Sequence, residues 1–492
     1  MKDFDDRNDR SVVIVGGGPA GLTAAYHLQK LDPHAAPVVY EASDAVGGIS
    51  RTEFHNGNRF DIGGHRFFTK LPEVEAMWHE VLGDDFISVE RLSRIFYKDR
   101  YYDYPLKLFN ALKNIGVWES VRIILSYAKW RLRPSPVEDS FEEWVMNRFG
   151  GRLYMHFFRS YTEKVWGIDP KEIRADWAAQ RIKNLSLGKA VWNAISGAND
   201  TTSLIERFNY PRLGPGMMWE KTRDCIETNG GLVQMQSEVI SVKREEQRIT
   251  GIDVRTWDYG GSTEVKRVSG DHFVNTMALR DLINVMDPPP PTEVVEAANR
   301  LKYRDFLIVS LCLQNADPFP DNWIYIHSPK VNVARIQNFR AWSDEMVADK
   351  DTASIGMEYF CDDTSDLWQT DDADLRDLAA RELEQLGLGK AAEVVDFKVI
   401  RQRKAYPVYD SAYREALDVV SGWIKSLENF QTVGRNGLHR YNNQDHSMLS
   451  AMLAAENILG AHHDVWDVNV ERSYHEEFVV DPPKPKPVLA LE

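Results

Sequence analysis

One unit near the start of the chain constrains everything that follows it: a short apolar run, a glycine-rich turn and a helical stretch, complete by residue 31. Ser11 to Val15 reads as a buried strand, Gly16-Gly17-Gly18-Pro19-Ala20-Gly21 as the turn, and the stretch to Leu31 as a helix, with a second apolar run at Val38–Tyr40. A strand, crossover helix and parallel strand need a sheet to join, so the expectation is an α/β fold. The glycine spacing adds a ligand. Gly16 permits a tight turn, Gly18 lets main-chain N–H groups approach a pyrophosphate, and Gly21 lets the helix lie close on the strand. The helix N-terminus, with Pro19 and Ala20, then faces the anion. Twenty residues after Gly21, Glu41 ends the second strand, where a carboxylate can accept both ribose hydroxyls of an adenosine and disfavours a 2′-phosphate. A dinucleotide site is expected.

The remaining pattern requires more than one domain, as does the length of 492 residues. Helical spacing dominates Leu71–Leu82, Leu106–Ile115, Trp118–Leu132, Phe141–Phe149 and Leu153–Val165. Strand patterns return at Val233–Lys243, Arg248–Trp257 and His272–Asn275. Pro288–Pro291 stop any regular element, Thr292 is placed to cap a helix to Arg300, and Phe306–Gln314 reads as a strand. Strand, glycine turn and helix recur between Asn429 and Leu459. The expected division is a discontinuous dinucleotide-binding domain from 1–70, 220–290 and 425–465, an inserted helical lobe at 71–219, a mixed β-sheet substrate region at 291–424, and a proline-rich tail at 466–492. No repeat is visible.

Composition excludes some functions. With 59 Lys+Arg against 74 Asp+Glu the formal charge is −15, which argues against a non-specific nucleic-acid or anionic-membrane binder and leaves room only for a local basic pocket. The dense apolar runs, such as Phe306 to Leu313, fall well short of the ~20 residues of a membrane span. Cys225, Cys312 and Cys361 are too widely spaced for a disulfide framework or a CxxC metal site, and no metal is expected. The first ten residues are charged where a secretory signal has a basic head and an apolar run, so a cytoplasmic chain is expected.

After Glu41 and Ala42 come the doublet Gly47-Gly48 and then Arg51-Thr52. Here the sequence resembles the FAD-binding superfamily of amine oxidases, protoporphyrinogen oxidase and UDP-galactopyranose mutase. The resemblance implies a Rossmann-like, glutathione-reductase-type FAD domain in which this doublet passes close to the cofactor. It implies a second flavin segment at Gly434-Arg435, with Ser447 and Met448 at the start of a helix whose N–H groups face the flavin. Gly63, Gly64 and Val239 complete the expected FAD contacts.

Several ordered blocks resemble UDP-galactopyranose mutase more specifically. Gly63-Gly64-His65-Arg66-Phe67-Phe68-Thr69 is similar to the mutase loop whose histidine lies against the flavin ring, and Arg94-Ile95-Phe96-Tyr97 to Tyr104-Pro105-Leu106 is similar to its following hairpin. The block Phe157 to Pro170, followed by Ala178 to Ile182, is similar to the segment lining the nucleotide-sugar pocket, which makes Trp166 the pocket tryptophan. Tyr303-Arg304, Tyr406-Pro407 and Arg435 through Tyr441 match further blocks, with Ala405 in place of a tyrosine and Asn443 in place of an aspartate. Lys183 to Arg207 is an insertion, and Arg207 to Trp219 looks more like the oxidases. The resemblance implies a reaction in which reduced flavin attacks the anomeric carbon, expels a nucleoside diphosphate and lets the sugar ring reclose as a furanose, with no net redox change. Arginines suit the departing diphosphate because a guanidinium matches two phosphate oxygens at once, and phenols bind phosphate without adding charge.

The expected catalytic residues are therefore His65, Arg304, Arg435, Tyr406 and Tyr441, and the expected substrate contacts are Trp166, Arg181, Arg304, Tyr406 and Tyr441. The implied partners are a small-molecule substrate, a nucleotide sugar, and NAD(P)H or another reductant for the flavin; a homodimer is left open. Two other readings stand beside this one: a flavin oxidoreductase moving hydride from a C–N or C–C bond to FAD, and a non-catalytic protein that keeps FAD as a structural or redox-sensing ligand.

Overall fold

The computed structural model describes residues 11–104, 108–175, 207–257 and 263–469. Three sheets organise them. The first is parallel and five-stranded, in the order Phe430–Thr432, His272–Asn275, Val12–Val15, Val38–Tyr40, Leu232–Gln234. Its central strand is buried on both faces, as its unbroken apolar run requires, and helices Pro19–Leu31 and Gln444–Ile458 pack against each other on it. The carboxyl ends of these strands release the glycine turn after Val15, Glu41 after Tyr40, Thr276 after Asn275 and Gly434 after Thr432. An open parallel sheet binds its ligand at that edge.

A four-stranded sheet, Thr263–Val268, Arg248–Trp257, Ser237–Glu245 and Met286–Asp287, stands beside the first. The third sheet has seven strands in the order Val394–Pro407, Tyr303–Leu313, Ala353–Cys361, Arg335–Asn338, Trp323–Ile326, Ser93–Tyr97, Arg100–Asp103. It is mixed, since Trp323–Ile326 pairs in parallel with Ser93–Tyr97 and the other pairs are antiparallel. Two apolar cores cover its faces, one of them shared with the helices of 108–166.

Several local expectations need correction. Val233–Lys243 is two strands, because Gln236 turns at φ +50 and donates its N–H to Ser43 O, which sends Ser237–Glu245 into a different sheet. Leu153–Val165 is two helices, Gly151–Phe157 and Arg159–Trp166, broken at Phe158. The segment 71–219 is not helical throughout. Ser93–Tyr97 and Arg100–Asp103 form the hairpin that the block from Arg94 implies and join the seven-stranded sheet, and Phe86–Glu90 pairs with Arg207–Pro211, where aromatic and β-branched residues favour strand pairing. Thr292 is the first residue of its helix; Pro291 occupies the cap position and no side chain caps it.

Candidate functional site

The glycine turn is built by close main-chain approach. Gly16 has φ +98, and a Cβ on Gly21 would lie 1.9 Å from Gly16 O, so the helix can sit against the strand only with glycine there. Helix Pro19–Leu31 has no side-chain cap, which leaves the first N–H groups of its turn available to an anion. Glu41 Oε2 accepts the Gly17 N–H at 2.7 Å, and Oε1 accepts the Ser43 N–H and hydroxyl at 2.9 and 2.7 Å. Gly47 donates to Gly17 O at 2.9 Å, which brings Gly48 alongside Gly18. Ala42 is exposed beyond Glu41, and Val239 lies two residues past Ser237, whose N–H donates to Glu41 O.

The second expected segment meets the first. A Cβ on Gly434, at φ +87, would lie 2.9 Å from Ala20 Cβ. Helix Gln444–Ile458 starts beside it with Asn443 as its N-cap and no side-chain cap, so its N-terminus faces the same cradle. Ser447 is in that first turn, whereas the Met448 side chain turns inward and its sulfur accepts from Trp78 Nε1 at 3.1 Å. Arg51 is engaged with Glu53, Gly48 O and Gln402. This uncrowded main-chain cradle, with a carboxylate at one end and a second helix N-terminus at the other, fits a dinucleotide.

Beyond the cradle lies a cluster assembled from distant segments. His65 Nε2 is 2.8 Å from Ile62 O, and burial, helped by Arg435 and Arg335, pushes its imidazole down to about 4, so it is neutral at pH 7. A Cβ on Gly64 would fall 2.0 Å from a Trp323 ring carbon, so the loop passes flat against that indole only as glycine; Gly63 lies against Phe306 and Glu358. Tyr406 and Tyr441 stack with centroids 5.2 Å apart and planes 20° apart. The Arg435 guanidinium lies 5.3 and 5.1 Å from their centroids and donates to Asn442 O and Ala405 O. Trp166, buried, meets both tyrosines at 6.4 Å.

Two residues absent from the expected set belong to this cluster. Arg335 donates to Tyr406 Oη at 3.1 Å and pairs with Glu358 at 2.5 Å, while Trp323 and Phe360 flank its guanidinium. Its Nε has no acceptor among the described residues. Glu358 is fully buried; burial raises its carboxyl, and Arg335 and Gln337 hold it against that rise. The two face each other across adjacent strands. A glutamate in the apolar strand Ala353–Cys361 was the one signal the sequence carried for them, since a buried carboxylate needs a partner.

Arg304 is placed otherwise than expected. Its guanidinium donates to Val165 O and Phe360 O and pairs with Asp362 at 2.5 Å, locked behind Gly167, where a Cβ would lie 2.6 Å from its Cζ. It fastens the turn after Trp166 to the sheet. Arg440 likewise donates to Trp466 O and Val468 O. Arg181 and the block Ala178 to Ile182 lie outside the described residues. Among the described residues no group of three His, Cys, Asp or Glu side chains could hold a metal ion, and no helix is long and apolar enough to cross a membrane.

Residues 19–416 match the family model for flavin containing amine oxidoreductases. Among curated proteins, protoporphyrinogen oxidase 1 of Arabidopsis thaliana is 30% identical over 171 residues, covering 33% of this chain and 31% of that protein. The chain thus spans about a third of the length of that relative. Protoporphyrinogen oxidase 2 of the same plant is 21% identical over 476 residues, covering 87% of this chain and 90% of its own length. Among solved structures, reduced UDP-galactopyranose mutase aligns with a TM-score of 0.76 at 20% identity, over 92% of this chain and 94% of that one, a likeness of fold.

Proposed function

The chain belongs to the flavin containing amine oxidoreductase family and is an FAD-dependent enzyme; on that premise we propose that it acts on a nucleotide-linked sugar as a pyranose–furanose mutase. In this reading the turn at Gly16, Gly18 and Gly21, with Glu41, holds the adenosine and pyrophosphate. Gly47, Gly48, Gly63, Gly64, Gly434 and the turn containing Ser447 pass along the flavin. Reduced FAD supplies the nucleophile for the anomeric carbon. The observation that carries the proposal is the pair of guanidiniums at Tyr406, Arg335 on its hydroxyl and Arg435 at its ring, both close enough to the His65 loop to help burial hold that imidazole neutral.

A diphosphate leaving group develops charge as it departs, and preorganised guanidinium donors stabilise that charge more than the bound ground state. Arg435 is held by two carbonyls at the edge of the tyrosine pair, and Arg335 is held at Tyr406 Oη by Glu358 opposite it. Tyr406 and Tyr441 orient phosphate oxygens through their hydroxyls, Trp166 closes the pocket beside them, and His65, neutral, keeps its loop in place through Ile62 O. Arg304 positions Trp166 instead of touching the substrate. The electrons that reduce the flavin come from NAD(P)H or another donor.

A second reading has its own support. Glu358 neutralises Arg335, so two guanidiniums and one carboxylate leave a single net positive charge among aromatic walls. Such a pocket would also admit a flat substrate oxidised by hydride transfer to FAD, as the protoporphyrinogen oxidase relatives suggest. Dithionite-reduced protein offered UDP-galactopyranose, with ring size read by NMR, separates the two. Furanose formed only with reduced flavin is the expected outcome. Oxidation of protoporphyrinogen or an amine with peroxide release, and no ring change in any sugar nucleotide, rejects the mutase and establishes the oxidase.

A further inference from the structure

Helix Val117–Leu132 carries its apolar side outward. At 3.6 residues per turn, Ile124, Val117, Ala128, Val121, Leu132, Leu125 and Trp118 fall in that angular order within an arc of about 120°. All seven are exposed, and Val117, Trp118 and Leu132 are 83, 82 and 83% exposed. The opposite side faces the protein. Ile123 is fully buried, Tyr127 and Trp130 pack on Gly150 and Gly151, and Glu119 turns inward to Arg152 and His156 at 2.6 and 3.0 Å. An exposed stripe of this size needs an occupant, because scattered apolar residues are ordinary on a surface and a contiguous patch is not.

Charge identifies the occupant. Lys129, Arg122 and Arg133 border the stripe on one side and Arg131 on the other, all exposed. Of these, only Arg122 approaches Glu119, at 3.6 Å, and it keeps most of its surface in water. A rim of cations around an apolar face, with an indole at the helix start, is the composition of a helix lying in a lipid interface. Sixteen residues make about 24 Å of helix, and with its polar inner side committed to the protein the helix lies along a bilayer and does not cross it. A second copy seated on the same stripe would set the exposed Arg122, Lys129, Arg131 and Arg133 of one copy against those of the other.

We propose that helix Val117–Leu132 seats this protein on an anionic membrane surface, its apolar stripe in the acyl boundary and its arginines and lysine at the headgroups. The inference does not rest on the mutase reading, and failure of turnover with sugar nucleotides leaves it intact. The whole-chain charge concealed it, because an average over 492 residues says nothing of one helix face.

The test is flotation of the full-length FAD-loaded protein with phosphatidylcholine vesicles, with and without phosphatidylglycerol. Binding is expected to vesicles containing phosphatidylglycerol and to fall with added salt. Leu125→Glu is expected to weaken it roughly tenfold or more, and Lys129→Gln and Arg133→Gln roughly fivefold each. Because these side chains are exposed, flavin absorbance and melting temperature should match the parent, which separates lost binding from lost fold. No flotation with phosphatidylglycerol vesicles, or flotation unchanged by Leu125→Glu, overturns the proposal. So does a lipid-free dimer in sedimentation velocity that Leu125→Glu dissociates, since a second copy would then own the stripe.

Discussion

The glycine turn at residues 16–21 and the cluster around Tyr406 prepare for ligands by opposite means. At the turn the working groups are main-chain N–H donors, and side chains matter mainly where they are absent, as at Gly21. In the cluster the working groups are side chains from the loop at His65, the helix ending at Trp166, the strands bearing Arg335, Glu358 and Tyr406, and the Arg435 to Tyr441 segment. A main-chain site has no rotamers to adjust, so a single added methyl is a collision. A side-chain cluster can shift, but its buried charges depend on one another. The first region should therefore fail sterically and the second electrostatically.

The largest expected effect tests the electrostatic half. Arg335→Met leaves the fully buried Glu358 without its counterion and should cost about 3–5 kcal/mol in denaturant unfolding. Adding Glu358→Gln should recover much of that loss, and a single variant as stable as the parent would break the contrast. Next comes the steric half. Gly21→Ala puts a Cβ against Gly16 O, a main-chain atom that cannot move aside as a side chain would, and should cost about 3 kcal/mol along with FAD content, read from flavin absorbance per chain.

A smaller effect concerns protons. His65 titrates at about 4 in the folded protein, chiefly through burial, against an ordinary value of about 6.5. Between those values the unfolded chain binds a proton that the folded chain does not. The stabilisation is complete above about pH 6.5 and is lost as pH falls, by about 2 kcal/mol at pH 5. Melting curves of His65→Gln against the parent should converge on acidification, and the pH dependence of turnover should show no break assignable to His65 above pH 5. The smallest effect is a control outside both regions. Gly422 lies exposed in helix Tyr413–Ile424 with nothing within 4 Å of a Cβ, so Gly422→Ala should stabilise by about 0.5–1 kcal/mol and leave flavin content unchanged.

The contrast also explains which residues could be read in advance. Gly16 to Gly21, Glu41 and the helix after Asn443 are runs of neighbours whose spacing alone implies their geometry. His65, Trp166, Tyr406, Tyr441 and Arg435 were legible through blocks of resemblance, and the structure brings them together. Arg304 belonged to such a block as well, yet Asp362 and two carbonyls engage its guanidinium. Nothing in the pair Tyr303-Arg304 shows that Asp362 will close over it. Arg335 has no motif around it at all.

What the sequence alone determined is the parallel sheet with its dinucleotide turn, because strand, glycines, helix and acid lie within about forty residues and each constrains the next through local backbone sterics. Only the tertiary structure decided which arginines enter the cluster and which serve as fasteners. That choice depends on strand register between segments far apart in the chain, which sets Arg335 opposite Glu358. The outward face of helix Val117–Leu132 was decided there too. A helical period shows that a stripe exists, and only the packing of Ile123, Tyr127 and Trp130 shows which side faces the protein.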